Sequence, residues 1–286
     1  MPGPVHFEAP SALAFFTALV ADDSSLPLLE AAIAVAQDDM PQLDVQGVLS
    51  KVDMLAERLC RRLPADAAPL QRLRLLNPYF FHELGFAGNV NDFYDPRNSL
   101  LPAVLETRRG IPITLGLLYI ELAQRAGLHA DGVCFPGHFL VKLTLPSGEV
   151  VIDPYSGQSL TREDLDERLA PFRRQLEGTG ARAADASLAN WLQPATAREI
   201  LTRLLRNLWQ VHRHADDPPR LAAVLRRLVI VQPLAGPERR ELALVLARMG
   251  QHNEAAHELA AYLQHRPDAT DAPQLRLELA QWRRAH

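Results

Sequence analysis

Over the first 76 residues, apolar positions return at helical spacing in four segments. Ser11 to Val20 is apolar-rich, and Ser11 is placed to cap its start. Pro27 to Gln37 carries Leu28, Leu29, Ala31, Ala32, Ile33 and Val35, which make a broad face for burial. Val45 to Leu63 repeats Val45, Val48, Leu49, Val52, Leu55, Leu59 and Leu63, a stripe close to the helical period. Cys60 sits beside that stripe and reads as a small core hydrophobe. Pro69 to Leu76 predicts a fourth, short helix.

In the middle the period changes. Leu115, Leu117, Leu118, Ile120, Leu122, Ala123 and Ala126 form a run too long for a strand, with polar relief at Tyr119, Glu121, Gln124 and Arg125; a buried helix fits it. Pro112 is preorganised for the first turn, and Gly127 stands where a C-terminal cap belongs. Beyond Gly127 the period moves towards two. Ala130 to Phe135, His138 to Leu145, a Pro146-Ser147-Gly148 turn and Glu149 to Asp153 predict antiparallel strands behind a central helix. Residues 77–100, ahead of the helix, are loop-rich and aromatic, and their Asn and Asp strings are turn chemistry. That loop is either a flap held by its aromatics or the wall of a groove. As a groove it offers Asn89, Tyr94, Asn98, Arg109 and Pro112 as binding candidates.

A central helix followed by strands that carry His138 and then Asp153 is the layout of papain-like and transglutaminase-like cores. In those a cysteine opens the helix, a histidine begins one strand and an aspartate ends the next. His138 lies eight residues before Pro146 and Asp153 five after Gly148, so both fall at the end of the hairpin away from its turn. The offset is roughly two or three residues, about 7–10 Å, which a bulge or strand twist can close. The nucleophile is what fails. Residues 108–116 contain no cysteine, and its position falls on or near Pro112. Two substitutes are open. Cys134 shares a stretch with His138, whose imidazolium would favour a thiolate, but it lacks the help of a helix N-terminus. Thr114 stands near the helix start and would need His138 as its base.

Gly88-Asn89, Tyr94-Asp95-Pro96, Asn98-Ser99, Arg109 to Ile113, Pro136 to Leu140 and Asp153-Pro154 together resemble the SirB-type proteins. These are bacterial proteins with a transglutaminase-like domain followed by tetratricopeptide-like helices. The resemblance is strong over residues 70–160 and extends to the remainder by layout. It implies the fold and a chain that, like its family, lacks the helix-opening cysteine. At Cys134 this chain departs from the pattern, where asparagine is more usual.

From Pro194 the pattern is helical to the end. Pro233 and Pro267, 34 residues apart, close the similar segments Leu221 to Val231 and Asn253 to His265. That is the tetratricopeptide period. Ile200 to His212 and Glu241 to Met249 supply the first helix of each pair, and Leu275 to Trp282 a capping helix. Stacked helix pairs leave a concave surface suited to a partner. Between the halves, residues 178–184 are rich in Gly and Ala and predict a connector.

Composition narrows the function. A net charge of -4 gives no electrostatic footprint for nucleic acid. Two cysteines do not make a disulfide scaffold and suit a reducing compartment. Met1 to Glu8 has no basic leader, and no apolar run reaches the length of a membrane span, so a cytoplasmic location is expected. His212 with His214, and His252 with His257, are poorly spaced for a metal, and no phosphate-binding glycine loop is present; no metal or cofactor is expected. The expected architecture is α+β. Residues 1–185 form a helix-rich transglutaminase-like domain with a small antiparallel sheet, and residues 186–286 an all-α tetratricopeptide-like domain. The expected function is a catalytically degenerate protein that binds a protein or peptide. The alternative is a peptidase or acyl-transferase using Cys134 or Thr114 with His138 and Asp153.

Overall fold

The computed structural model describes residues 10–177 and 187–284. The connector expected at residues 178–184, the boundary expected at 185/186 and the stretch Met1 to Glu8 lie outside these. The chain forms two compact units. One is Asp44–Asn207, and the other joins the residues up to Leu43 with those from Leu208 onwards.

In the first unit, α3 (Val45–Cys60) is capped by Asp44, whose carboxylate accepts from the Gly47 amide at 3.0 Å. It buries Val45, Val48, Val52 and Leu59 of the stripe its sequence predicts, together with Ala56, while Leu49 and Leu55 lie at the edge of the buried face. With α4 (Pro69–Pro78) it packs against the central helix α6 (Pro112–Arg125). Burial of α6 is almost complete along its length. Its C-terminus closes in a left-handed turn at Gly127, where the Leu128 amide reaches back to the Ala123 carbonyl at 2.9 Å. Arg72 from α4 donates to the free carbonyl of Ala126 at 2.8 Å. Three elements here escape the hydrophobic period, two because they are too short to show one and the third because it is apolar on nearly every side. They are the parallel pair β1 (Ala87–Gly88) and β2 (Arg109–Gly110), and the helix α5 (Leu101–Thr107).

The sheet is an antiparallel meander, β3 (His129–Val133), β4 (Leu140–Leu145), β5 (Gly148–Asp153) and β6 (Gln158–Leu160). Val133, Leu140 and Val151 pack with Leu165 and Leu169 of α7 (Arg162–Glu177) and Leu188 of α8 (Leu188–Trp191). The alternation of strand side chains turns Val141, Leu143 and Ile152 to the opposite face, towards α6. Both faces are covered, and β4 keeps a period of two, with Lys142 and Thr144 between Val141, Leu143 and Leu145. Thr161 and Asp164 cap α7 reciprocally, the hydroxyl accepting from the Asp164 amide at 3.2 Å and the carboxylate from the Thr161 amide at 2.8 Å.

In the second unit, α10 (Pro218–Val231), α11 (Gly236–Arg248), α12 (His252–His265) and α13 (Ala272–Trp282) pack in sequence. From α10 to α12 the start moves from Pro218 to His252 and the end from Val231 to His265, 34 residues in each case. The long helix α9 (Ala197–His214) precedes them and crosses from one unit into the other. The SirB-type resemblance implies that all the N-terminal helices support α6 rather than perform chemistry. In the structure α1 (Ala12–Leu19) and the 3-10 turn Val35–Asp38, which continues α2 (Leu28–Ala34), pack against α10. Only α3 and α4 support the central helix. No helix among the described residues is long and apolar enough to cross a membrane.

Candidate functional site

The β3–β4 connection carries His138. The Phe135 amide bonds to the Val133 carbonyl at 2.9 Å, which puts Cys134 at the centre of a three-residue turn. A second turn follows, with the His138 amide on the Phe135 carbonyl at 3.0 Å, Pro136 in its first central position and Gly137 at φ +69° in its second. That left-handed position is why glycine stands there. The turn lifts His138 off the strand before β4 begins. Asp153 ends β5, where the register Val141↔Ile152 sets it opposite Leu140, two residues along from His138. The turn closes that offset, and Nε2 of His138 lies 2.8 Å from Oδ1 of Asp153.

Asp153 is 3% exposed and saturated with partners. Oδ1 also accepts from the Tyr155 amide at 2.9 Å, and Oδ2 from both terminal nitrogens of Arg168 on α7 at 3.2 and 3.3 Å. Burial alone would raise its pKa. The His138 hydrogen bond and charge, the Tyr155 amide and Arg168 together outweigh burial and bring it down to about 2. An ionised carboxylate only accepts, so neutral His138 carries its proton on Nε2 and presents Nδ1 as an acceptor. Nδ1 has no hydrogen bond among the described residues, and the side chain is 22% exposed. The strand residues beside the dyad rest on the first turns of α6. A Cβ on Gly116 would lie 2.6 Å from Phe139 and 3.5 Å from Pro154.

At the helix start the position of the missing cysteine is closed. Ile111 is the N-cap and Pro112 the first helical residue. Thr114 is fully buried; its hydroxyl donates to the Asn98 carbonyl at 2.7 Å and accepts from the Ile111 amide at 3.2 Å. That hydroxyl is spent on joining the loop to the helix. Burial pushes the Cys134 thiol pKa up, and the charges acting on it are Arg203 and Glu199 of α9, not His138. A raised thiol pKa opposes the thiolate that nucleophilic work requires.

Of the binding candidates, Asn89, Asn98 and Arg109 use their side chains to hold the chain around them. The Asn98 amide nitrogen donates to the carbonyls of Asp92 and Phe93 at 2.7 and 3.2 Å, while its oxygen accepts from Asn89 at 3.0 Å. Arg109 donates to the Gly85 carbonyl at 2.8 Å. Tyr94 is instead exposed, alongside Phe93 and Val90. This loop is tied to the dyad through Tyr155. The Gly88 amide bonds to the Tyr155 carbonyl at 3.0 Å, and the Tyr155 ring meets Phe93 edge-on with centroids 6.2 Å apart. Tyr155 and Arg168 are the site residues that the sequence pattern does not mark. Tyr155 follows Asp153-Pro154 directly, whereas nothing local to Arg168 points to Asp153. Among the described residues no group of three His, Cys, Asp or Glu side chains could hold a metal ion.

Residues 46–206 match the family model of the transglutaminase-like superfamily. A UPF0162 protein of Xylella fastidiosa (strain Temecula1) is 36% identical over 256 residues, 89% of each chain. The chain is a transglutaminase-like protein of the UPF0162 family. UPF0162 protein PA3419 of Pseudomonas aeruginosa is 30% identical over 250 residues, covering 87% of this chain and 88% of its own. Residues 208–280 match a tetratricopeptide repeat model, so the UPF0162 layout is the one implied by the SirB-type resemblance. Among solved structures, the crystal structure of menin superposes with a TM-score of 0.40 at 12% identity, over 92% of this chain and 67% of menin.

Proposed function

We propose that this UPF0162 protein is a catalytically degenerate transglutaminase-like protein that binds an extended segment of a protein partner beside His138. The observation that carries this is an intact His138–Asp153 pair whose Nδ1 is left open, next to a helix start with no usable nucleophile. Without a nucleophile, an oriented imidazole still accepts a hydrogen bond from a peptide N–H. Phe93 and Tyr94 supply rigid aromatic area on the adjoining loop, the kind of surface that anchors a partner. The tetratricopeptide helices offer a second surface of the same kind.

The test has two arms on the full-length protein. Peptide-library selection should yield segments whose binding weakens at least about tenfold in Tyr94→Ala, with its thermal midpoint kept, and in His138→Ala at a temperature where that variant is still folded. An electrophilic amide or ester analogue should leave no covalent adduct. An adduct on Cys134 or Thr114 that disappears in His138→Ala would sink the proposal and establish acyl-transfer chemistry instead.

A further inference from the structure

A separate cleft of about 550 Å³ opens between α3 and the end of α5, and none of its residues belongs to the His138 site. Four cations line it, Lys51, Arg58, Arg61 and Arg108, against one carboxylate, Glu57. None of the four makes an ion pair among the described residues, whereas neighbouring Arg62 and Arg125 do. Lys51, Arg58 and Arg61 fall on one face of α3, seven and then three residues apart. Arg58 in the last turn and Arg61 at the C-cap are favoured there by the helix dipole without any ligand. The dipole does not account for Lys51 in mid-helix, and Arg108, at the C-cap of α5, stands to that helix as Arg61 does to α3.

Arg108 is the informative one. It ends α5 in the left-handed region, φ 60° and ψ 19°, where glycine or asparagine is the usual cap and arginine is disfavoured. Its guanidinium stacks over Phe86 at 4.6 Å, and one of its nitrogens, Nη1, is buried with no hydrogen-bond partner. Burial pulls its pKa below the usual arginine value. A cation is thus fixed in place, partly stripped of water and joined in no ion pair among the described residues, at the rim of a space that three other cations share. Such an arrangement is unfavourable until an anion enters.

We propose that this cleft binds a small molecule carrying adjacent phosphate groups, of which pyrophosphate is the minimal form. Guanidinium forks match the geometry of phosphate oxygens, and three of the four cations are arginines. The volume lies within the range of small-ligand sites, roughly 300–1,000 Å³. Met54, which is 59% exposed, together with Leu55 and Leu105 gives an apolar surface for the remainder of the ligand. The charges converge on one concave space, which favours a compact polyanion over an acidic protein surface.

Calorimetric titration of the full-length protein with pyrophosphate, and separately with ADP, tests this. One saturable site per chain is expected, weakening as salt is raised. Arg58→Gln/Arg61→Gln changes only exposed side chains and should weaken binding about tenfold or more. Arg108→Gly should do the same, and its backbone suits glycine. ADP binding at least about tenfold tighter than pyrophosphate would place a nucleotide base on the apolar surface, and equal affinities would mean that the phosphates alone are read. The proposal is overturned if the wild type binds neither ligand, if Arg58→Gln/Arg61→Gln binds as well as the wild type, or if only a glutamate-rich peptide binds.

Discussion

Asp153 holds its charge in a buried place because three donors converge on it, and that has a consequence in acid. Its pKa falls from an unfolded value near 3.9 to about 2 in the folded protein, so the folded state binds its proton less readily. The sign follows from linkage. The stabilisation is fully present above pH about 4 and is lost as pH falls through about 2. Its size is on the order of 2 kcal/mol. Asp153→Asn should therefore lower the urea midpoint at neutral pH, and the gap from wild type should narrow progressively between pH about 4 and 2. Midpoints measured across that range decide it; a gap that stays constant to pH 2 would remove the carboxylate from the account. At this scale the sequence is informative where chemistry is local. The hairpin arithmetic places His138 near Asp153 because strand residues pair at fixed spacing, and the Pro136-Gly137 turn supplies the closure. Arg168 stays invisible because its partner lies on another element, and no spacing rule connects a surface arginine of α7 to the end of β5.

Between elements, the dyad depends on how closely α6 approaches the strands. Gly116 and Gly132 clasp the Phe139 ring from two sides, each with room for no Cβ: an added one would meet the ring at 2.6 Å in both cases. Phe139 is buried and adjacent to His138, so it cannot swing away. Alanine at position 116 gains helix propensity of at most about 1 kcal/mol but overpacks the core at about 1–3 kcal/mol. Gly116→Ala is expected to lower the thermal midpoint and to shift Phe139, and His138 with it. Nitrogen NMR of the His138 ring reads the second effect directly, as loss of the single protonated Nε2 tautomer. An unchanged ring spectrum would show that the turn alone positions His138. The period of α6 announces a buried helix, yet it does not single out this glycine, because a close approach belongs to a pair of elements. Likewise α5 leaves no legible pattern, since five of its seven residues are buried and a helix apolar on nearly every side has no period to detect.

The tetratricopeptide helices are legible in the sequence through their 34-residue spacing, but what covers their first pair is not. An apolar face records that it must be buried and not by which partner. Here the cover on α10 is the N-terminal segment, fixed by charge. Arg227 of α10 is 1% exposed, pairs with Asp38 and stacks over Phe16 with 5.3 Å between its guanidinium carbon and the ring centroid. Its Nε is buried with no hydrogen-bond partner, so the pair is not fully compensated. Asp38 itself is exposed, so its removal costs less than the ~3–5 kcal/mol of a fully buried pair, but it strands a buried guanidinium, while an apolar replacement of both is often neutral or better. Asp38→Ala should therefore lower the denaturant midpoint strongly and speed amide exchange in α10. Asp38→Ala combined with Arg227→Met should recover most of that loss, although it carries one more substitution. The comparison separates an ion pair that holds the segment in place from one that merely sits on packed helices. If Asp38→Ala falls within about 0.5 kcal/mol of the wild type, the charge pair contributes nothing and the apolar contacts of Phe16 alone seat the N-terminal helices. If the double variant remains as unstable as the single, the guanidinium itself fills the space that methionine cannot, and packing rather than charge explains its burial.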